Sequence, residues 1–173
     1  MIVNNVCNLK CEMCDVGLGD PTTVFWENLI GERPQNMSLA MLEELLLQSE
    51  QFRVRPKIGL AATEPLIHPE ILAFCEAIVQ KGFYCQITTN GSTLSRLASS
   101  LVDIGVDELI ISCDGPRAIH DQVRGKKGSF DRLCKGVEML GRAKESRGKL
   151  RPIVNFSFTV TDTNYNHLVE TVK

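Results

Sequence analysis

Residues 83–90 read Phe83-Tyr84-Cys85-Gln86-Ile87-Thr88-Thr89-Asn90, and their alternation decides how the chain folds. Successive side chains of a strand point to opposite faces, so Gln86, Thr88 and Asn90 share one face and Cys85, Ile87 and Thr89 the other. The same two-sidedness recurs downstream. Ser112 and Asp114 oppose Leu109, Ile111 and Cys113, while Asn155, Ser157 and Thr159 oppose Val154, Phe156, Phe158 and Val160. A parallel sheet covered by helices on both sides needs two apolar faces. Strands with one polar face, strengthening toward their C-terminal ends, fit a sheet curled around a polar site.

Working outward from that segment, periodicity predicts strands over residues 2–6, 57–62, 83–89, 108–113 and 152–160. Helices fall between them over 38–51, 69–81, 93–104 and 129–147, and a last one starts near Asn164. The boundaries carry chemical marks: Ser38 suits an N-cap ahead of Leu39, Leu42 and Leu46, Pro69 suits a first turn, and Gly82 suits a left-handed C-terminal cap. Strict alternation of strand and helix implies parallel strands with right-handed crossovers. The expected fold is therefore α/β, a partial TIM-type barrel with five strand–helix units, the chain ending before a sixth. The long irregular stretch 15–37 carries Phe25 and Trp26, two rings that either cover a site or pin a surface loop.

Composition narrows the function. The chain has 173 residues, 43% of them hydrophobic, with 19 Lys and Arg against 21 Asp and Glu and a formal net charge of −2. This describes one ordinary soluble domain. No apolar run approaches the roughly 20 residues of a membrane span, and no secretory signal opens the sequence. No basic block argues for nucleic acid. The expectation is a cytoplasmic protein with neither membrane nor nucleic acid among its partners. Seven Cys in such a chain read as metal ligands or packing before disulfides.

Cys7, Cys11 and Cys14 form CxxxCxxC directly after the first predicted strand, which puts three thiolates on one loop. Structural zinc sites normally close with a fourth ligand, whereas a four-iron cluster held by three Cys keeps one iron open. No fourth ligand is near; His68, His120 and His167 are scattered. Cys75, Cys85, Cys113 and Cys134 lie on apolar faces and read as small hydrophobes.

The segment Cys7-Asn8-Leu9-Lys10-Cys11-Glu12-Met13-Cys14 resembles the cluster loop of the radical S-adenosylmethionine (SAM) superfamily. The resemblance continues in order along nearly the whole chain. Ala62-Thr63-Glu64-Pro65-Leu66 stands where that family has GGEPL, and Thr88-Thr89-Asn90-Gly91 resembles its TTNG. Ser112-Cys113-Asp114-Gly115-Pro116, followed by His120-Asp121 and Arg124-Gly125, resembles the SLDGP…HDxxRG segment of the SPASM-type branch, with the molybdenum-cofactor-cyclase-like enzymes close by.

This resemblance implies that residues 1–173 are a radical SAM core, an oxidoreductase-type enzyme with a [4Fe–4S] cluster on Cys7, Cys11 and Cys14 and SAM on its open iron. It implies SAM contacts from Glu64, Thr88, Ser112 and Arg124, an electron donor such as flavodoxin or ferredoxin, and a 5′-deoxyadenosyl radical that abstracts hydrogen from substrate. The HDxxRG-like segment tilts the substrate toward a peptide or protein and away from a molybdenum-cofactor-type nucleotide rearrangement. From the residues alone other readings stand: Glu64 as a helix cap, Thr88 and Ser112 as satisfied hydroxyls, Arg124 as a surface partner of Asp121, and the chain as a non-catalytic metal-binding scaffold. Ala62 and Thr63 replace two glycines, so either their side chains point away or the backbone stays farther from SAM. Met13 replaces the aromatic residue the family often carries beside its third Cys.

Overall fold

The computed structural model describes residues 1–24, 26–31 and 33–172. Its sheet has four parallel strands, β1 (Lys57–Leu60), β2 (Tyr84–Thr89), β3 (Glu108–Ser112) and β4 (Ile153–Ser157), in the order β1-β2-β3-β4. Around them lie α1 (Asp15–Leu18), α2 (Leu39–Ser49), α3 (Ile71–Gln80), α4 (Leu94–Ile104), α5 (Arg117–Val123), α6 (Ser129–Arg147) and α7 (Leu168–Thr171). Each strand joins beside its predecessor, without the reversal of order that marks a doubly wound sheet. The architecture is the expected α/β sector of a barrel.

The two faces differ as the alternation predicts. On the helix side, Cys85, Ile87, Leu109 and Ile111 bury completely against Phe74 and Ile78 of α3, Leu94 and Leu101 of α4, and Leu133 and Leu140 of α6. On the other side Glu108 gathers a polar plug at the N-terminal ends of the strands. Its carboxylate accepts from Lys57 Nζ at 2.7 Å, Tyr84 OH at 3.2 Å and Asn155 Nδ2 at 2.7 Å. The hydrogen bond from Lys57 holds the Glu108 carboxyl below its usual range. The opposite, C-terminal end of this polar face carries a cavity.

Segment 2–6, expected as the first strand, follows β1 without forming a regular ladder. The Met1 amino group donates to Gly59 O, Ala61 N donates to Met1 O at 3.0 Å, and Glu64 N to Val6 O at 3.4 Å. Between these ends its backbone serves another segment: Met37 N donates to Val3 O at 2.8 Å and Asn5 N to Gln35 O at 3.2 Å, around an antiparallel bridge between Asn4 and Asn36. The fourth strand stops at Ser157, and the helix expected near Asn164 is a 3-10 turn, Tyr165–His167, running into α7. Helix α5, which follows Pro116, was absent from the periodicity. Cys75 and Cys85 are buried as expected, but Cys113 is only half-buried and Cys134 is exposed. The reason is that the outer face of β4 is thinly covered among the described residues, with Phe156 58% exposed. No helix among the described residues is long and apolar enough to cross a membrane.

Candidate functional site

The cavity at the C-terminal ends of the strands measures about 430 Å³, and Cys7, Cys11, Cys14, Glu64, Thr88, Ser112 and Arg124 all line it. Residues far apart in sequence meet there because parallel strands deliver all their C-terminal ends to one rim. The cysteine loop is fastened to that rim from two sides. On the β2 side, Asn90 Nδ2 donates to Asn8 Oδ1 at 2.9 Å and lies 3.9 Å from Cys7 Sγ, and Asn8 Nδ2 donates to Ser92 Oγ at 2.9 Å. On the α5 side, Glu12 N donates to Val123 O at 2.9 Å and Arg124 Nη1 reaches Cys11 Sγ at 3.6 Å. Gly125, at φ +63°, packs so closely that a Cβ there would stand 2.1 Å from Lys10 O. The Arg-Gly pair thus works as a seat for the cysteine loop.

Glu64 is almost fully buried, at 1% exposure. Its Oε1 accepts from Leu66 N at 3.0 Å and Thr89 Oγ1 at 2.7 Å, and its Oε2 accepts from Asn90 N at 2.7 Å. It therefore caps the 3-10 turn Pro65–Ile67, as the alternative reading has it, and also ties the end of β1 to the end of β2. Burial raises its pKa, against the pull of the three hydrogen bonds. A carboxylate has about four lone-pair sites, so three donors leave one for a ligand.

Arg124 does not pair with Asp121 at the surface. It is buried, forms an ion pair with the fully buried Asp114, and its Nε has no protein partner. Asp121 instead caps α6, accepting from Gly128 N at 2.6 Å and Phe130 N at 2.9 Å. Among the described residues, none hydrogen-bonds the Thr88 or Ser112 hydroxyls, and both line the cavity. Ala62 adopts a left-handed backbone of the kind glycine favours, at φ +84°, and Thr63 turns its hydroxyl to Asn4 O at 2.9 Å. Met13 lines the cavity; Trp26, half-buried, is not among its described lining residues, and Phe25 lies outside the described residues. Sequence reasoning missed Asn8, Asn90 and Asp114, although each lies inside a motif it quoted.

The donor set is three cysteine sulfurs, the chemistry an iron–sulfur cluster takes. Burial pushes the Cys7 and Cys11 thiols up, and Arg124 draws Cys11 back down. Among the described residues no group of three or more His, Cys, Asp or Glu side chains converges tightly enough for a single metal ion, yet three sulfurs share one cavity wall. Two of them have N–H groups beside them, an arrangement that suits thiolates carrying negative charge.

The family model described as "Radical SAM superfamily" matches residues 1–173. The chain belongs to the radical SAM superfamily. That membership implies a [4Fe–4S] cluster and SAM, in a family whose relatives include synthases and cyclases. Pre-heme d1 synthase of Dinoroseobacter shibae is 29% identical over 168 residues, 96% of this chain and 37% of its own length. GTP 3',8-cyclase of Pseudomonas fluorescens is 32% identical over 117 residues, 65% of this chain and 35% of its own. The radical SAM chain therefore spans little more than a third of either relative. Among solved structures, Streptococcus suis SuiB bound to its precursor peptide SuiA shares the fold with a TM-score of 0.71 at 20% identity, over 99% of this chain and 35% of that one.

Proposed function

We propose that residues 1–173 act as a radical SAM core in which Cys7, Cys11 and Cys14 hold a [4Fe–4S] cluster and Glu64, Thr88, Ser112 and Arg124 hold SAM. One observation carries this reading: these seven residues, from separate parts of the sequence, line a single cavity. When bound, the cluster and SAM together would supply a 5′-deoxyadenosyl radical for hydrogen abstraction. The chain's own residues bind and orient. Arg124, a cation on the cavity wall, suits SAM's carboxylate, and the remaining acceptor site of Glu64 suits its ammonium. The unengaged hydroxyls of Thr88 and Ser112 suit the ribose. A one-electron carrier such as flavodoxin or ferredoxin, in the cytoplasm, completes the requirement.

For the substrate, a peptide or protein is the reading we carry forward, supported by the HDxxRG-like segment around Arg124 and by the shared fold of peptide-bound SuiB. A second reading, a small molecule of the pre-heme or nucleotide kind, is favoured by the names of the curated relatives. Anaerobic reconstitution with iron and sulfide tests the core proposal. The wild-type chain should gain a visible iron–sulfur absorption that changes when SAM is added, and each of Cys7→Ala, Cys11→Ala and Cys14→Ala should lose most of it. A full cluster in all three variants, or one tightly bound zinc in the wild type, would refute the assignment.

A further inference from the structure

Asp114 lies two residues beyond the end of β3 and is completely buried; its backbone N, backbone O and Oδ1 are hydrogen-bonded, and Oδ2, which accepts no hydrogen bond, has the charge of Arg124 as its partner. Its Oδ1 accepts from Thr159 N at 2.8 Å, its backbone O from Asn164 Nδ2 at 3.1 Å, and its backbone N donates to His120 Nδ1 at 3.2 Å. Its Oδ2 faces Arg124 Nη2 as an ion pair. From the same guanidinium, Nη1 reaches Cys11 Sγ at 3.6 Å. A guanidinium is a rigid planar fork, so fixing one nitrogen fixes where the others point. Asp114 itself cannot shift, because β4's continuation and Asn164 hold it on two further sides.

A buried ion pair is weak evidence for stability, since desolvating both charges offsets most of their attraction. What this pair does is geometric: it holds an N–H donor and a positive charge on one sulfur of the cysteine loop. Positive charge and hydrogen bonds donated to ligating sulfurs favour the more negative redox state and so raise a cluster's potential.

Building on the cluster reading above, we propose that Asp114 is a positioning residue: by pairing with Arg124 it holds a guanidinium N–H on the Cys11 sulfur and thereby raises the reduction potential of the cluster on Cys7, Cys11 and Cys14. The electron comes from an external one-electron reductant, which is oxidised as the cluster is reduced.

The sign of one variant's shift separates this from simple charge. If Asp114 acted only through its own negative charge, removing it would raise the potential. If it acts by placing Arg124, Asp114→Asn should lower it: Oδ1 still serves Thr159 N, but Nδ2 now meets the guanidinium donor to donor and displaces it. The whole chain is reconstituted as wild type, Asp114→Asn, Arg124→Gln and Asp121→Asn. Iron and sulfide are counted, and the midpoint is read by EPR during dithionite titration without SAM.

Arg124→Gln should retain iron and, at a fixed reducing poise, show a roughly tenfold lower ratio of reduced to oxidised cluster, equivalent to ~59 mV for one electron. Asp114→Asn should shift in the same direction by a smaller, severalfold factor. Asp121→Asn, which removes a negative charge and one acceptor of a helix cap in the same motif without touching Arg124, should leave the midpoint where it is. An unchanged or raised midpoint in Asp114→Asn overturns the inference, as does an equal shift in Asp121→Asn. If Asp114→Asn fails to fold, Arg124→Gln with an unshifted midpoint overturns it alone. Absence of iron from the wild type refutes the cluster reading itself, an outcome visible before any midpoint is measured.

Discussion

Cys7, Cys11 and Cys14 line a cavity at the rim of the sheet, with N–H groups beside two of their sulfurs, whereas Cys75 and Cys85 lie completely buried beneath the helices. The side chain is the same and the surroundings decide its use. At the rim, burial raises the Cys7 and Cys11 thiols while Arg124 pulls Cys11 back. In the core, hydrogen bonding to Cys75 and burial push the Cys85 thiol far up, so it stays protonated and behaves as a small hydrophobe. Ligation needs the thiolate and an approach for the metal; of these two regions it is the rim that has the open approach and N–H groups suited to a charged sulfur. A loop at the C-terminal ends of parallel strands can hold polar contacts that the interlayer core cannot.

The largest expected effect breaks that comparison directly. Iron per chain should collapse in the three rim alanine variants and stay unchanged in Cys75→Ser, Cys85→Ser, Cys113→Ser and Cys134→Ser. Loss of iron from a folded Cys75→Ser or Cys85→Ser protein would mean the core thiols are not inert.

Two glycines with positive φ sharpen it next. Gly105 ends α4 at φ +87°, and a Cβ there would meet nothing within 4 Å, while Gly125 sits at φ +63° against Lys10 O. Gly105→Ala should therefore cost only the backbone penalty of roughly 1 to 2 kcal/mol. Gly125→Ala should cost distinctly more, because the cysteine loop must move, and it should also lower iron uptake. Denaturant melts of both variants, with iron analysis, check this; equal melts would mean the loop is not seated on Gly125.

The rim also carries the pH sensitivity. Burial, then the charge of Arg124, pushes His120 below its ordinary 6.5, and its Nδ1 accepts from Asp114 N. For a base depressed in the folded state, the unfolded chain binds the proton first. Stability is thus full above the ordinary value and falls as pH drops below it, by up to about 1.4 kcal/mol per pH unit for one group. Urea midpoints at pH 7.5 and 5.5 should diverge more for the wild type than for His120→Gln, which keeps an acceptor but does not titrate. A parallel fall in both would move the sensitivity elsewhere.

Much of this was legible in the sequence, for physical reasons. The period-two polarity of 83–90 and 108–114 carried the curled sheet, because a face that must look into a polar cavity cannot be apolar. Cys7, Cys11, Cys14, Glu64, Thr88, Ser112 and Arg124 meet because parallel strands present their ends together. What stayed hidden depends on pairings that no period encodes. Segment 2–6 gave its Val3 and Asn5 backbone groups to 35–37, Arg124 chose Asp114 over the nearer Asp121, and Thr89 left the apolar face in function by donating to Glu64. Helix α5 has seven residues, too few for an amphipathic pattern to stand out.

The smallest expected effect concerns Ala62, on the cavity wall where the resemblance places a glycine. Its φ of +84° is a left-handed conformation that costs a residue with a Cβ roughly 1 to 2 kcal/mol. Ala62→Gly removes that cost but gives the unfolded chain more freedom, which takes back about 0.5 to 1 kcal/mol. The net gain should be about 1.5 kcal/mol or less, a rise of at most ~6 °C in Tm for a chain of this size. Thr63→Gly should go the other way, because the Thr63 hydroxyl bonds Asn4 O at 2.9 Å and helps hold segment 2–6 against the end of β1. Opposite signs at adjacent positions would show that this rim keeps the glycine backbone at Ala62 while using Thr63 as a tether. A destabilised Ala62→Gly protein would instead mean that the Ala62 methyl group fills space at the cavity wall worth more than its strain.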